Sequence, residues 1–85
     1  MRADLVLKQT GIIKRRTVAK TLLENGHIMI NNKVAKPSTE VRNDDIITLS
    51  LGQRILVAKI TFVVRGKKEI PSFEMLSSEK KPNES

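Results

Sequence analysis

The sequence predicts an α+β domain in which two N-terminal helices pack on a small antiparallel sheet. Three observations carry that expectation. Apolar residues in the first quarter recur at helical spacing. The middle and later segments alternate at strand spacing between turn residues. The helical stretches all precede the strand stretches, an order that segregates helices to one side of a sheet. With 85 residues the chain makes one small domain, and a domain of this size buries roughly 60% of the surface its unfolded chain exposes.

The elements follow in order. Residues 3–9 form a short first helix, with Leu5 and Lys8 on one side, ended by Thr10-Gly11. Ile12 and Ile13 lead into a second helix over roughly residues 14–25. There Val18, Ala19, Leu22 and Leu23 make the i, i+3, i+4 stripe of a buried face, and Asn25-Gly26 closes the helix. His27 to Asn31 reads as a strand, turned by Asn31-Asn32-Lys33 because Asn tolerates positive φ. Val34-Ala35 returns briefly, and Lys36 to Thr39 is loop. Asn43-Asp44-Asp45 turns into the strand Ile46 to Leu49. Ile55 to Val64 is the longest strand, with Leu56, Ala58, Ile60, Phe62 and Val64 on its apolar face. After the polar turn Arg65 to Glu69, Ile70, Phe73, Met75 and Leu76 are expected to pack back onto the domain. Residues 77–85 contain no apolar side chain, which predicts a disordered tail. The expected division is a domain over 1–66, a C-terminal extension over 67–76 and the tail over 77–85.

Composition narrows the function. The formal net charge is +7, and it is uneven. The first twenty residues hold Arg2, Lys8, Lys14, Arg15, Arg16 and Lys20 against Asp4 alone, whereas the remaining sixty-five hold ten cations and eight acids. Gathering like charges costs free energy, and a surface that keeps them faces a polyanion. Arginine's planar fork suits phosphate oxygens, and a helix start adds amide donors and a positive dipole end. These six residues are the candidate phosphate contacts. Asp4 is read as an N-cap or first-turn acid of the first helix, or as the group that holds a neighbouring arginine.

Several classes are excluded or disfavoured. There is no cysteine, so disulfides, thiolate metal sites and cysteine nucleophiles are ruled out. The only histidine, His27, has no carboxylate or nucleophile beside it. Asp44-Asp45 reads as a turn, with too few oxygen ligands for a metal. No phosphate-cradling or catalytic signature occurs. Two Phe and no Tyr or Trp argue against a base-stacking platform for single strands. No apolar run reaches the roughly 20 residues a membrane helix needs, and no signal-peptide core follows Met1. The expectation is a cytoplasmic, non-enzymatic protein with no cofactor and no small-molecule substrate.

These residues resemble a known family, the RNA-binding domain named after small-subunit ribosomal protein S4. Arg2-Ala3-Asp4, Arg15-Arg16-Thr17-Val18-Ala19, Leu22-Leu23, Gly26, Ile28 to Asn32 and Asp44 to Ile47 match its pattern in order and spacing. The segment Ile12 to Lys20 and the length are similar to short stand-alone members of the heat-shock and ribosome quality-control types. The resemblance implies two helices on a small sheet. It implies binding to large-subunit ribosomal RNA and to tRNA on obstructed subunits, including peptidyl-tRNA. It also implies help to a larger factor that tails the nascent chain. Arg2 and Arg16 would be the key contacts, supported by Lys14, Arg15 and Lys20. Three positions depart from the pattern. Ala3 replaces leucine, which predicts looser packing of the first helix. Asn32 replaces glycine in the turn, and Asp44 replaces glycine in its loop. The alternatives are an assembly or recycling factor of the same family, or an accessory subunit held by protein contacts through Phe73 to Leu76. An enzyme of this family would need a catalytic domain for which these residues have no room.

Overall fold

The computed structural model describes residues 1–80. Two helices, α1 (Ala3–Gln9) and α2 (Arg16–Glu24), precede five strands: β1 (Ile28–Ile30), β2 (Lys33–Val34), β3 (Ile46–Leu51), β4 (Arg54–Arg65) and β5 (Lys68–Lys80). The strands form one antiparallel sheet in the order β2-β1-β3-β4-β5. The α+β expectation therefore holds, with the helices on one face of the sheet.

Why the helices dock is visible in their spacing. In α1 the apolar residues buried are Ala3, Val6 and Leu7, an i, i+3, i+4 stripe. The sequence reading followed Leu5 instead, which is only half-buried. Ala3 is fully buried, so the small residue lets α1 sit close rather than leaving it loose. In α2 the stripe narrows to Ala19 and Leu23, with Leu22 half-buried and Val18 exposed. From the sheet, Ile28, Ile30, Ile47, Leu49 and Ile60 complete a single core. Each fully buried aliphatic side chain contributes on the order of 1.5–3 kcal/mol.

Turn chemistry sets the register. Helix α2 begins at Arg16, two residues later than expected, because Arg15 is extended (φ −118°, ψ 129°). It ends in a double closure. The Gly26 amide donates to Leu23 O and the His27 amide to Leu22 O, with Gly26 at φ 77°. Asn31 and Asn32 take φ 51° and 68°, as the β1–β2 turn requires. The Asn31 side chain donates to Asp45 Oδ1 and accepts from the Ile46 amide, which ties that turn to the start of β3. Asp44, in the place of a glycine, does adopt φ 72°, and its amide donates to Ile60 O.

The largest departure lies at the C-terminal end. Residues 77–80 were expected to be disordered; Ser77 to Lys80 instead continue β5 and pair with Val57 to Arg54. The rest of the expected tail, 81–85, lies outside the described residues. A polar segment can hold a strand here because a neighbouring strand supplies its hydrogen bonds. Thr61 and Ser72 share a hydroxyl contact of 2.9 Å, and Arg54 Nη1 donates to Ser78 Oγ. The expected inward packing of Ile70, Phe73, Met75 and Leu76 does not occur, and all four are exposed. Val63, the partner of Ile70, and Val64, the partner of Glu69, are exposed too, whereas Phe73 and Met75 pair with buried Ile60 and Ala58. The hairpin thus runs past the core, and the molecule measures 52 × 23 × 22 Å.

Candidate nucleic-acid interface

The basic cluster is organised by one buried acid. Asp4 lies in the first turn of α1 and is 1% exposed. Its Oδ1 accepts from Arg2 Nε at 3.0 Å, and Arg16 Nε lies 3.4 Å from its Oδ2. Two residues fourteen positions apart are therefore held on either side of one carboxylate. Both arginine side chains stay about half exposed, at 48% and 49%. The contact uses Nε in each case, so the Nη groups remain available to an outside acceptor. Asp4 is not an N-cap, since α1 has no side-chain cap bond; it is a first-turn acid that at the same time positions two arginines.

Local backbone explains how Arg2 arrives there. Ala3 N donates to Thr39 O, Asp4 N to Pro37 O, and Val41 N to Met1 O. Arg2 and Glu40 form an isolated antiparallel bridge. The loop over residues 36–41 thus clamps the N-terminal strand, and buried Ala35 and Val41 anchor the loop in the core. The Met1 ammonium donates to Glu40, and that hydrogen bond holds the Glu40 carboxyl below the usual glutamate range. Arg16 arrives differently, as the first residue of α2, a helix fixed by Ala19 and Leu23.

Arg2, Asp4, Arg16, Thr17 and Lys20 line one open cleft of about 300 Å³. Lys20 stands one turn beyond Arg16 on the same face. Of the six predicted contacts, the structure brings Arg2, Arg16 and Lys20 together. Lys14 and Arg15 are exposed on the two residues that precede α2, and Lys8 is exposed in the last turn of α1; these three do not line the cleft. Arg2, Arg16 and Lys20 thus share one cleft, whereas Lys8 stands at the opposite end of α1 from Arg2. Such a surface can bind a phosphate backbone by charge-assisted hydrogen bonds. Among the described residues no group of three or more acids and histidines is placed to hold a metal. No described helix is long and apolar enough to cross a membrane.

The sequence reading did not single out Arg42, which lines a second cleft with Met1 and Glu40; no periodic signal marks it.

Comparison with known proteins agrees with this geometry. The chain is 41% identical over 75 residues to the RQC P-site tRNA stabilizing factor of Listeria innocua, covering 88% of this chain and 82% of that one. It is 40% identical over 60 residues to the Bacillus subtilis protein of the same name, covering 71% and 70%. Among solved structures, the trimeric Heat Shock Protein 15 of Vibrio cholerae superposes with a TM-score of 0.68 at 28% identity, over 80% of this chain and 69% of that one. The S4 domain family model matches residues 1–47, which hold both arginines, Asp4 and the loop that clamps them; the chain belongs to the S4 domain family.

Proposed function

We propose that this protein is a non-enzymatic, cytoplasmic RNA-binding factor in quality control of stalled ribosomes. It docks on large-subunit ribosomal RNA and on tRNA, peptidyl-tRNA included, in support of a larger factor that tails the nascent chain. The observation that carries the reading is the Arg2–Asp4–Arg16 arrangement. A carboxylate sunk in the fold holds two half-exposed guanidinium groups side by side, a geometry suited to neighbouring phosphates. The names of the similar Listeria and Bacillus proteins support the tRNA part. Lys20 extends the contact within the cleft, and Lys8, Lys14 and Arg15 add charge around it. Recognition is by shape and backbone, as expected for A-form RNA whose deep groove excludes side chains.

The test is a salt titration of binding to deproteinised large-subunit ribosomal RNA. Arg16→Ala is expected to weaken binding and to lower the slope of log K against log salt by about 0.7–0.9 per lost phosphate contact. Asp4 keeps Arg2 as a partner in this variant, so the fold survives. Unchanged affinity at every salt concentration would place the site elsewhere.

A second reading has its own observation. Phe73, Met75 and Leu76 are exposed on the edge strand β5, as a protein-binding accessory subunit would use them. Nuclease treatment before ribosome co-sedimentation separates the two, since loss of association favours RNA.

A further inference from the structure

We infer that the turn of the β4–β5 hairpin carries a second set of phosphate contacts on the same RNA, so that the interface runs from α2 to the hairpin tip. The inference rests on the RNA-binding reading above and extends its site. Arg65, Lys67 and Lys68 crowd the turn between the two strands, all exposed. No ion pair among the described residues engages them. The core ends at Ile60, with Phe62 packed on its margin; Val63, Val64 and Ile70 beyond it are exposed. The four residues from Thr61 to Val64 carry the turn about 13 Å past Ile60 at strand rise. Nothing in the fold requires cations at that place, and three together repel one another.

Edge protection is the ordinary reason for charge on a hairpin, and here another residue supplies it. The Phe62 amide donates to Asn43 Oδ1, on the side away from β5. Its pair partner Pro71 therefore turns a nitrogen with no hydrogen toward the free edge of β5, which interrupts strand addition.

The N-terminal segment links the Arg2 site to a second cleft on the side of the hairpin. A cleft of about 400 Å³ is lined by Met1, Glu40, Arg42, Phe62, Val64 and Glu69. One wall is the segment bridged to Arg2 through Glu40, and the other includes the Val64–Glu69 pair, one pair short of the turn. Arg42 stands between the two basic groups. Of the acids on this path, Glu40 is occupied by the Met1 ammonium, which leaves Glu69 as the one uncompensated negative charge. A polyanion laid along this side meets Lys20, Arg16, Arg2, Arg42 and then the turn.

The experiment compares the full chain with the triple variant Arg65→Ala, Lys67→Ala, Lys68→Ala and with Arg16→Ala. The probe is deproteinised large-subunit ribosomal RNA, and circular dichroism checks that the exposed turn substitutions leave the fold intact. The triple variant is expected to bind more weakly and to lower the salt slope by about 2, as two to three lost phosphate contacts require. Its hydroxyl-radical footprint should shorten at one end only. If Arg16→Ala weakens binding while the triple variant keeps the parental slope and footprint, the hairpin assignment is overturned and the helix site stands. If neither variant changes binding, the RNA-binding reading itself falls. If the triple variant binds free RNA normally but loses association with intact subunits, the turn meets a protein, and the inference is equally overturned.

Discussion

Ile60 and Val64 lie on the same face of the same strand, four residues apart, yet Ile60 is fully buried and Val64 is 67% exposed. The backbone pairing is equally regular at both, facing Phe73 and Glu69 in turn. What differs is the layer above. Ile60 belongs to the buried cluster that helices and sheet share, whereas Val64 lies outside it and lines an open cleft. The body of the molecule is therefore held by side-chain burial, while the far hairpin is held by its hydrogen-bond ladder and cross-strand pairs, each worth only about 0.2–1 kcal/mol. Strand patterning alone reports the pleat and does not report whether anything covers it.

The sharpest way to break this comparison is to make the same kind of cut in both regions. Ile47→Ala removes a fully buried side chain from the centre of the sheet and is expected to cost about 2–5 kcal/mol in denaturant unfolding. Ile70→Ser, on the far hairpin, should stay within about 0.5 kcal/mol of the parent. Comparable losses at the two positions would mean that the hairpin carries part of the global stability after all.

A smaller effect is expected at Asp4, where the body meets the binding surface. Asp4→Asn keeps the size of the side chain and removes the charge that both arginines face. Replacing two charge-assisted contacts by neutral ones should cost about 1–3 kcal/mol of stability. It should also weaken RNA binding without touching any group that contacts RNA, because Arg2 and Arg16 are released from their fixed positions. A variant that loses stability but binds normally would show that the carboxylate serves the fold alone.

How much of this was legible beforehand follows the same division. The α+β order, the Gly26 closure, the Asn31-Asn32 turn and the Ile47 and Leu49 face follow from local rules that act within a few residues. So does the concentration of charge before Lys20. The convergence of Arg2 and Arg16 on Asp4 was only half visible. Proximity in sequence suggested that Asp4 could hold an arginine, but the second arginine arrives through the docking of α2, which no local pattern encodes. Ser77 to Lys80 were misread because their composition lacks the apolar content of an independent strand, whereas β4 offered them a full set of partners. Ile70, Phe73 and Met75 were misread in the opposite sense. Apolar character predicted burial, but Ile70 lies past the core, and Phe73 and Met75 stand on the edge strand beside buried Ile60 and Ala58.

The smallest effects give the finest version of the comparison. Gly26 and Gly66 both hold left-handed backbone, at φ 77° and 62°. An alanine at either pays the same local strain, on the order of 1–2 kcal/mol. At Gly26 that strain falls on the closure of α2, whose Leu23 is locked in the core, so the whole cooperative unit should lose about 1 kcal/mol. A Cβ there also meets Val34 Cγ1 at 4.0 Å, which is ordinary contact and adds no clash. At Gly66 nothing lies within 4 Å of the added atom, and the strained turn can open without exposing any buried side chain. Gly66→Ala should therefore leave the unfolding midpoint nearly unchanged while amide exchange accelerates at residues 63–70 alone. Equal shifts in the midpoint for the two variants would show a hairpin that unfolds together with the body. In that case its tip could not adjust to an RNA surface independently of the helices.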